Sequence, residues 1–197
     1  MTNYIKNIIK QIYIFHNLYI KNKVYIKKKF YSQNKEDIFV LAYFKNKNSG
    51  FYVDVGCHHP TRINNTFLLY EHGWRGVNID MSKLSIDLFN NLRKEDVNIH
   101  SAVSNKNKII SYYTNKDLFL SASITQKKGN SKFRYKKRVS SKTLTNILDE
   151  TIYRENQIDF LSIDAEGVNF EVLKSLDFKK YKPKLICIEM WEVRKKQ

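Results

Sequence analysis

Apolar positions along this chain follow two periods. Short continuous apolar runs at Phe51–Val55, 77–80, 97–103, 158–163 and 183–190 read as buried strands, each bounded by polar or glycine-containing turns. Between them the apolar residues fall at helical spacing. Leu84, Leu88 and Leu92 mark a helix over 82–93, Phe67, Leu68 and Leu69 one over 64–72, and Leu144, Ile147 and Leu148 one over 143–149. A short helix over 168–176 precedes the last strand. Upstream, Ser32 is placed to cap a helix whose Ile38, Leu41 and Ala42 would face the core, and the polar run before Gly50 ends it. Lys108–Thr114 is β-rich and expected to pair at an edge or as a hairpin. The charged, irregular stretch 115–139 reads as a mobile loop near the site. Strands alternating with helices predict an α/β fold with a doubly wound, mainly parallel sheet.

Residues 1–30 break from this pattern, and the domain proper is expected over 31–197. The amino-terminal segment has no glycine, proline or acid and carries three consecutive lysines at 27–29. Ile5, Ile8, Ile9 and Ile12, then His16 and Tyr19, fall at helical spacing, interrupted by Lys6, Lys10 and Gln11. That run is too polar to span a bilayer and lacks the cleavage site of a signal peptide. Two readings stay open: a basic amphipathic helix on an anionic membrane surface, or a helix packed on the domain.

Composition narrows the class. An apolar fraction of 42% suits a folded domain and argues against global disorder. Two cysteines far apart, Cys57 and Cys187, do not make a disulfide framework, which favours a reducing, cytoplasmic setting, at most peripheral to the inner face of the membrane. The net charge of +16 raises the question of RNA. No aromatic-basic recognition motif accompanies it, and the chain is rich in Lys, Asn, Ile and Tyr throughout, so nucleic acid is not the expected partner.

The candidate chemistry lies at strand ends. Asp54 and Gly56 close the first strand, and Asp80 closes the second, roughly 20 residues beyond the glycine turn, where an acid can accept from the hydroxyls of a ribose. No GxGxxG run is present, and His58 and His59 stand where a pyrophosphate would need small residues. The pattern suits an adenosine without phosphates, as in S-adenosylmethionine. Asp164 and Glu166 follow the 158–163 strand, where carboxylates can orient a hydroxyl, act as general base or hold a divalent cation; acids at a helix start are the structural alternative. His58 and His59 make a poor metal pair, so no metal site is expected. They and the neighbouring Asn65 and Thr66 are better placed for polar contacts to cofactor or substrate, although Asn65 or Thr66 could equally cap a helix.

The blocks SQNKEDIF, GFYVDVGCHHP with NNT, GWRGVNID, HSAVS and IDFLSIDAEGVNFEVLKSLDF before KPKLICIE, in this order over about residues 31–190, resemble the FkbM-type S-adenosylmethionine-dependent methyltransferases. The resemblance implies a class I methyltransferase (Rossmann-like) fold and O-methylation of a hydroxyl, often on a saccharide or natural product. By motif position it makes Asp54 and Gly56 methionine-side contacts and Asp80 the ribose contact. Ser101 and Ala102 would lie near the adenine, Asp164 and Glu166 would face the cavity, and Gln33 and Asp37 would sit near the same cleft. Two strands that usually complete such a sheet are not expected after 183–190. That leaves an edge to be covered by an oligomer or partner, and an alternative in which the chain is a non-catalytic or partner-dependent S-adenosylmethionine-binding protein.

Overall fold

The computed structural model describes residues 3–114, 122–123, 135–165 and 167–190. The chain opens with helix α1 (Asn3–Phe15), which runs into a π-helical turn over His16–Lys21. Helix α2 (Glu36–Tyr43) leads to strand β1 (Phe51–Val55), helix α3 (Phe67–Glu71), strand β2 (Arg75–Asp80), helix α4 (Lys83–Leu92) and strand β3 (Val97–His100). Strands β4 (Ala102–Val103), β5 (Lys108–Thr114), β6 (Ala122–Ser123) and β7 (Tyr135–Lys142) follow. Helix α5 (Leu144–Asp149), strand β8 (Phe160–Ile163), helix α6 (Asn169–Lys174) and strand β9 (Leu185–Ile188) complete the described elements.

The main sheet has the order β3-β2-β1-β8-β9, and every pairing in it is parallel. The chain enters at the central strand, builds outward through β2 and β3, then returns to the other side of β1 as β8. That reversal makes the β1/β8 junction the topological switch point. Strand alternation sorts the two faces. Val53, Val55, Val77, Ile79, Leu161 and Ile163 pack with Leu144, Leu148 and Val172 of α5 and α6. Tyr52 and Phe160 face the other way, against Val40 and Leu41 of α2, Phe67 and Leu69 of α3, and Trp74. Gly76 on β2 makes room for the Tyr52 ring, since a Cβ there would lie 2.2 Å from it.

The structure adjusts several sequence expectations. The predicted 97–103 strand is two strands: Ser101 N–H donates to Asp80 O, and the chain then leaves the main sheet. Ala102 and Val103 pair instead with Ser141 and Lys142 in a second sheet of order β4-β7-β5-β6. Residues 135–139, expected in a loop, belong to β7, an antiparallel partner of β5 over its whole length. Lys136 and Arg138 are solvent-facing there while Val139 is buried, so the strand is one-sided and its charges mask it. The rest of that expected loop, 115–121 and 124–134, lies outside the described residues. Helix α2 begins at Glu36, after Lys35 in a left-handed conformation, rather than at a Ser32 cap. It buries Asp37, Val40 and Leu41, whereas Ile38 and Ala42 face solvent. Helix α1 is docked through Ile14, which with Leu18 of the π-helical turn packs on Leu84 and Leu88 of α4. Cys57 and Cys187 are free thiols.

Candidate active site at the β1/β8 switch point

The carboxyl ends of β1, β2 and β8 converge on Gly56. Its N–H donates to Ile79 O of β2 at 2.9 Å, and Asp164 N–H donates to Val55 O at 2.9 Å. Gly56 has φ +79, and a Cβ there would lie 2.0 Å from Asp164 O. Only a residue without a side chain lets the two backbones meet in that conformation. Asp164 is therefore delivered to the switch point on an exposed position just past β8. Asn169, the first residue of α6, pins the same turn: its Oδ1 accepts from Ala165 N–H at 2.6 Å and its Nδ2 donates to Glu189 O at 2.8 Å. Glu166 lies outside the described residues.

Asp80 ends β2 with its carboxylate folded over the turn. Oδ2 accepts from His58 N–H at 2.9 Å and Oδ1 from Ser82 N–H at 2.7 Å. Burial pushes its pKa up to about 6, against the lowering effect of these amides. A carboxylate offers about four lone-pair sites, so beyond these two amides and the Ser85 hydroxyl it keeps acceptor capacity for a ligand's hydroxyl. His58 holds the intervening loop at φ +54, and Ser85 Oγ donates to His58 O. Burial, with the Arg62 guanidinium second, lowers the His58 pKa to about 4, which keeps the ring neutral at pH 7.

Asp54 is fully enclosed. Thr66 Oγ1 donates to its Oδ2 at 2.8 Å, and Asn64 Nδ2 approaches the same oxygen at 3.3 Å. Burial raises its pKa, opposed by Thr66, Arg93 and Asn64. Behind it lies a group that sequence reading missed. Arg93, completely buried, donates from Nε to Asp96 Oδ2 at 2.9 Å, from Nη1 to Asn64 Oδ1 at 3.2 Å, and from Nη2 to Thr66 Oγ1 at 3.1 Å. Its Nη2 also donates to Tyr52 Oη, which donates to Asp96 Oδ2. Burial works against the guanidinium's charge, but Tyr52, Asp96 and Asp54 more than offset it and raise its pKa. Arg93 and Asp96 stand with Lys94 and Glu95 in an unbroken charged stretch, and nothing in that stretch distinguishes the buried pair from its neighbours.

The remaining predicted residues divide. Asn65 Nδ2 donates to Ser162 Oγ across the switch point at 3.2 Å. Thr66 precedes α3, but its hydroxyl serves Asp54 and does not cap the helix. Ser101 is buried, its hydroxyl directed to the backbone of Ala102 and Ser140, and Ala102 packs beside Tyr112 and Met81. Gln33 is exposed ahead of α2, while Asp37 is wholly buried and accepts from Tyr31 N–H, Ser32 N–H and the Ser32 hydroxyl. His59 is also wholly buried. Its Nδ1 accepts from Thr61 and Arg62 N–H, so the ring carries its proton on Nε2 and donates to Asn17 Oδ1 at 2.9 Å. Asp37 and His59 thus tie chain segments together from inside the protein. Among the described residues no group of three or more His, Cys, Asp or Glu is arranged to hold a metal.

The donor set fits an adenosine-type ligand. Asp80 keeps acceptor capacity at the end of β2, Gly56 leaves bare backbone at the turn, and no glycine-rich pyrophosphate cradle is present. Comparison with curated proteins and with solved structures returns no match. A family model described as the methyltransferase FkbM domain matches residues 54–196, nearly three-quarters of the chain and all of the strand ends described above. With that match and a parallel five-stranded sheet that turns at the same junction, the chain belongs to the FkbM methyltransferase domain family.

Proposed function

We propose that this protein is an S-adenosylmethionine-dependent O-methyltransferase whose acceptor is a hydroxyl of a saccharide or related natural product. The observation that carries the reading is the meeting of Gly56 and Asp164 at the switch point, beside an Asp80 carboxylate fixed in place by two backbone amides. When bound, S-adenosylmethionine supplies an electrophilic methyl group on a sulfonium centre. Asp80 would accept from the ribose hydroxyls, and the Gly56 turn would let the methionine portion approach the backbone. Asp54, through Asn64 and Thr66, holds the β1–α3 loop in shape around it. Asp164 would orient the acceptor hydroxyl and take its proton as the new O–C bond forms. The family match supports methyl transfer as the chemistry, and the exposed position of Asp164 supports a role in handling the acceptor.

The test is formation of S-adenosylhomocysteine with a panel of saccharide and simple alcohol acceptors. Turnover by the wild type, reduced about 10²–10⁴-fold in Asp164→Asn with cofactor binding retained, is the expected result. Equal turnover by both proteins would remove Asp164 from the chemistry. Turnover with no hydroxyl acceptor in the panel would overturn O-methylation of this substrate class.

A further inference from the structure

Helix α1 has two apolar sides, and the domain uses only one. Lys10, Tyr13, Ile14, Asn17 and Leu18 turn inward: Ile14 and Leu18 are buried on α4, and Lys10 pairs with Asp87. At roughly 100° per residue, Ile5, Ile8, Ile9, Ile12 and Phe15 centre on the opposite side. All five are exposed, Ile12 at 63% and Phe15 at 58%. A helix held to a folded domain by one face while showing solvent a row of isoleucines is an interaction surface. The two sequence readings of this segment are therefore not exclusive, because each has its own face of the helix.

Charge identifies the occupant. The first 35 residues contain eight lysines and no acid, so this short segment holds half of the chain's formal +16. Lys21, Lys23 and Lys27–Lys29 follow directly on the helix. Two copies of such a segment would repel each other, which disfavours a dimer through α1. An apolar helical face followed in sequence by clustered, exposed lysines suits burial at the headgroup boundary of an anionic bilayer. Among the described residues no helix is long and apolar enough to cross a membrane, so the surface is one that would lie on a bilayer rather than span it.

We propose that the outward face of α1 and the lysines after it dock this protein on anionic membrane surfaces. The docking segment is also built into the candidate site: Asn17 and Asn22, at either end of the π-helical turn, meet His59 in the loop whose preceding residue, His58, holds Asp80.

The experiment is co-sedimentation of the full chain with vesicles of phosphatidylcholine alone or mixed with phosphatidylglycerol, at low and at physiological salt. Binding at least about tenfold stronger to the mixed vesicles, and weakened by salt, is expected. The double variant Ile8→Glu with Ile12→Glu changes only exposed side chains, so it should keep the wild-type melting temperature and lose that binding. Lys27→Glu with Lys28→Glu and Lys29→Glu should weaken binding without unfolding. No preference for the anionic vesicles, or undiminished binding by the isoleucine variant, would overturn the proposal. So would a wild-type dimer, seen by light scattering, that the isoleucine variant converts to monomer without any vesicle binding. None of these readouts involves methyl transfer, so failure here is distinguishable from failure of the proposed activity.

Discussion

At Gly56 a single methyl group would collide with the carbonyl oxygen of Asp164, on a backbone already at positive φ. Gly56→Ala is thus expected to cost at least about 1–3 kcal/mol in urea unfolding and to weaken cofactor binding, because it separates β1 from β8. Arg93 makes a different demand. Arg93→Met removes the cation from a buried Asp96, and the uncompensated carboxylate is expected to cost about 3–5 kcal/mol in the same measurement. Asp80 contributes its own pH dependence. Its folded pKa of about 6 lies above the unfolded value near 3.9. The native state therefore keeps this proton to higher pH than the unfolded chain, and its contribution to stability is lost as pH rises from about 4 to about 6. Ligand binding runs the other way, since ribose hydroxyls donate to the ionised carboxylate. S-adenosylmethionine affinity should be flat above pH 6 and fall toward tenfold per unit below it, which calorimetry across that range would show. Asp54 and Asp80 were legible as strand-end acids from spacing alone. That one is enclosed by Thr66 and Asn64 of the β1–α3 loop while the other is held by the His58 and Ser82 amides depends on contacts between separate chain segments, which no local pattern records.

Among the elements, legibility tracked how strongly burial patterned the sequence. Strands β1, β2 and β8 are buried along almost their whole length and β9 is apolar throughout, so they read as predominantly apolar runs. Strand β7 has a charged outer face and turns only residues such as Val139 and Ser141 inward, so its charge resembled a loop. The break at Ser101 was invisible because both halves of 97–103 are β-prone; only the competing partner, β7, divides them. Helix α2 turns Leu41 to the core as expected, but not Ile38 or Ala42. Its fully buried residue is an acid, Asp37, enclosed by the Tyr31 and Ser32 amides, while Ile38 and Phe39 stay outside. The amino-terminal helix was legible as a helix, whereas its docking depended on Leu18 meeting α4. Leu18, fully buried between Ile14 and Leu88, should cost about 2–5 kcal/mol when cut to Ala. Hydrogen exchange in that variant should rise first across α1 and the π-helical turn, and hardly at all in β1 and β8.

For the whole molecule, the decisive property is strand order. The sequence pattern predicts alternating strands and helices, but only the fold places β8 beside β1 and so brings Asp164 to the turn that begins 108 residues earlier at Gly56. The reversal creates a crevice-forming junction, and the FkbM family match begins within β1, at Asp54, and extends past β9. In the proposed membrane docking, the apolar outer face of α1 and the basic segment after it would form a second functional surface, on a segment whose inward side touches the β1–α3 loop through Asn17. The central claim is that a phosphate-free adenosine cofactor is bound at this junction through Asp80. Calorimetric titration of S-adenosylmethionine into the wild type and into Asp80→Ala tests it directly. Saturable one-to-one binding by the wild type, weakened at least about tenfold in a variant that still folds, is the predicted result. Equal affinity in the two proteins, or no binding by the folded wild type, would contradict it.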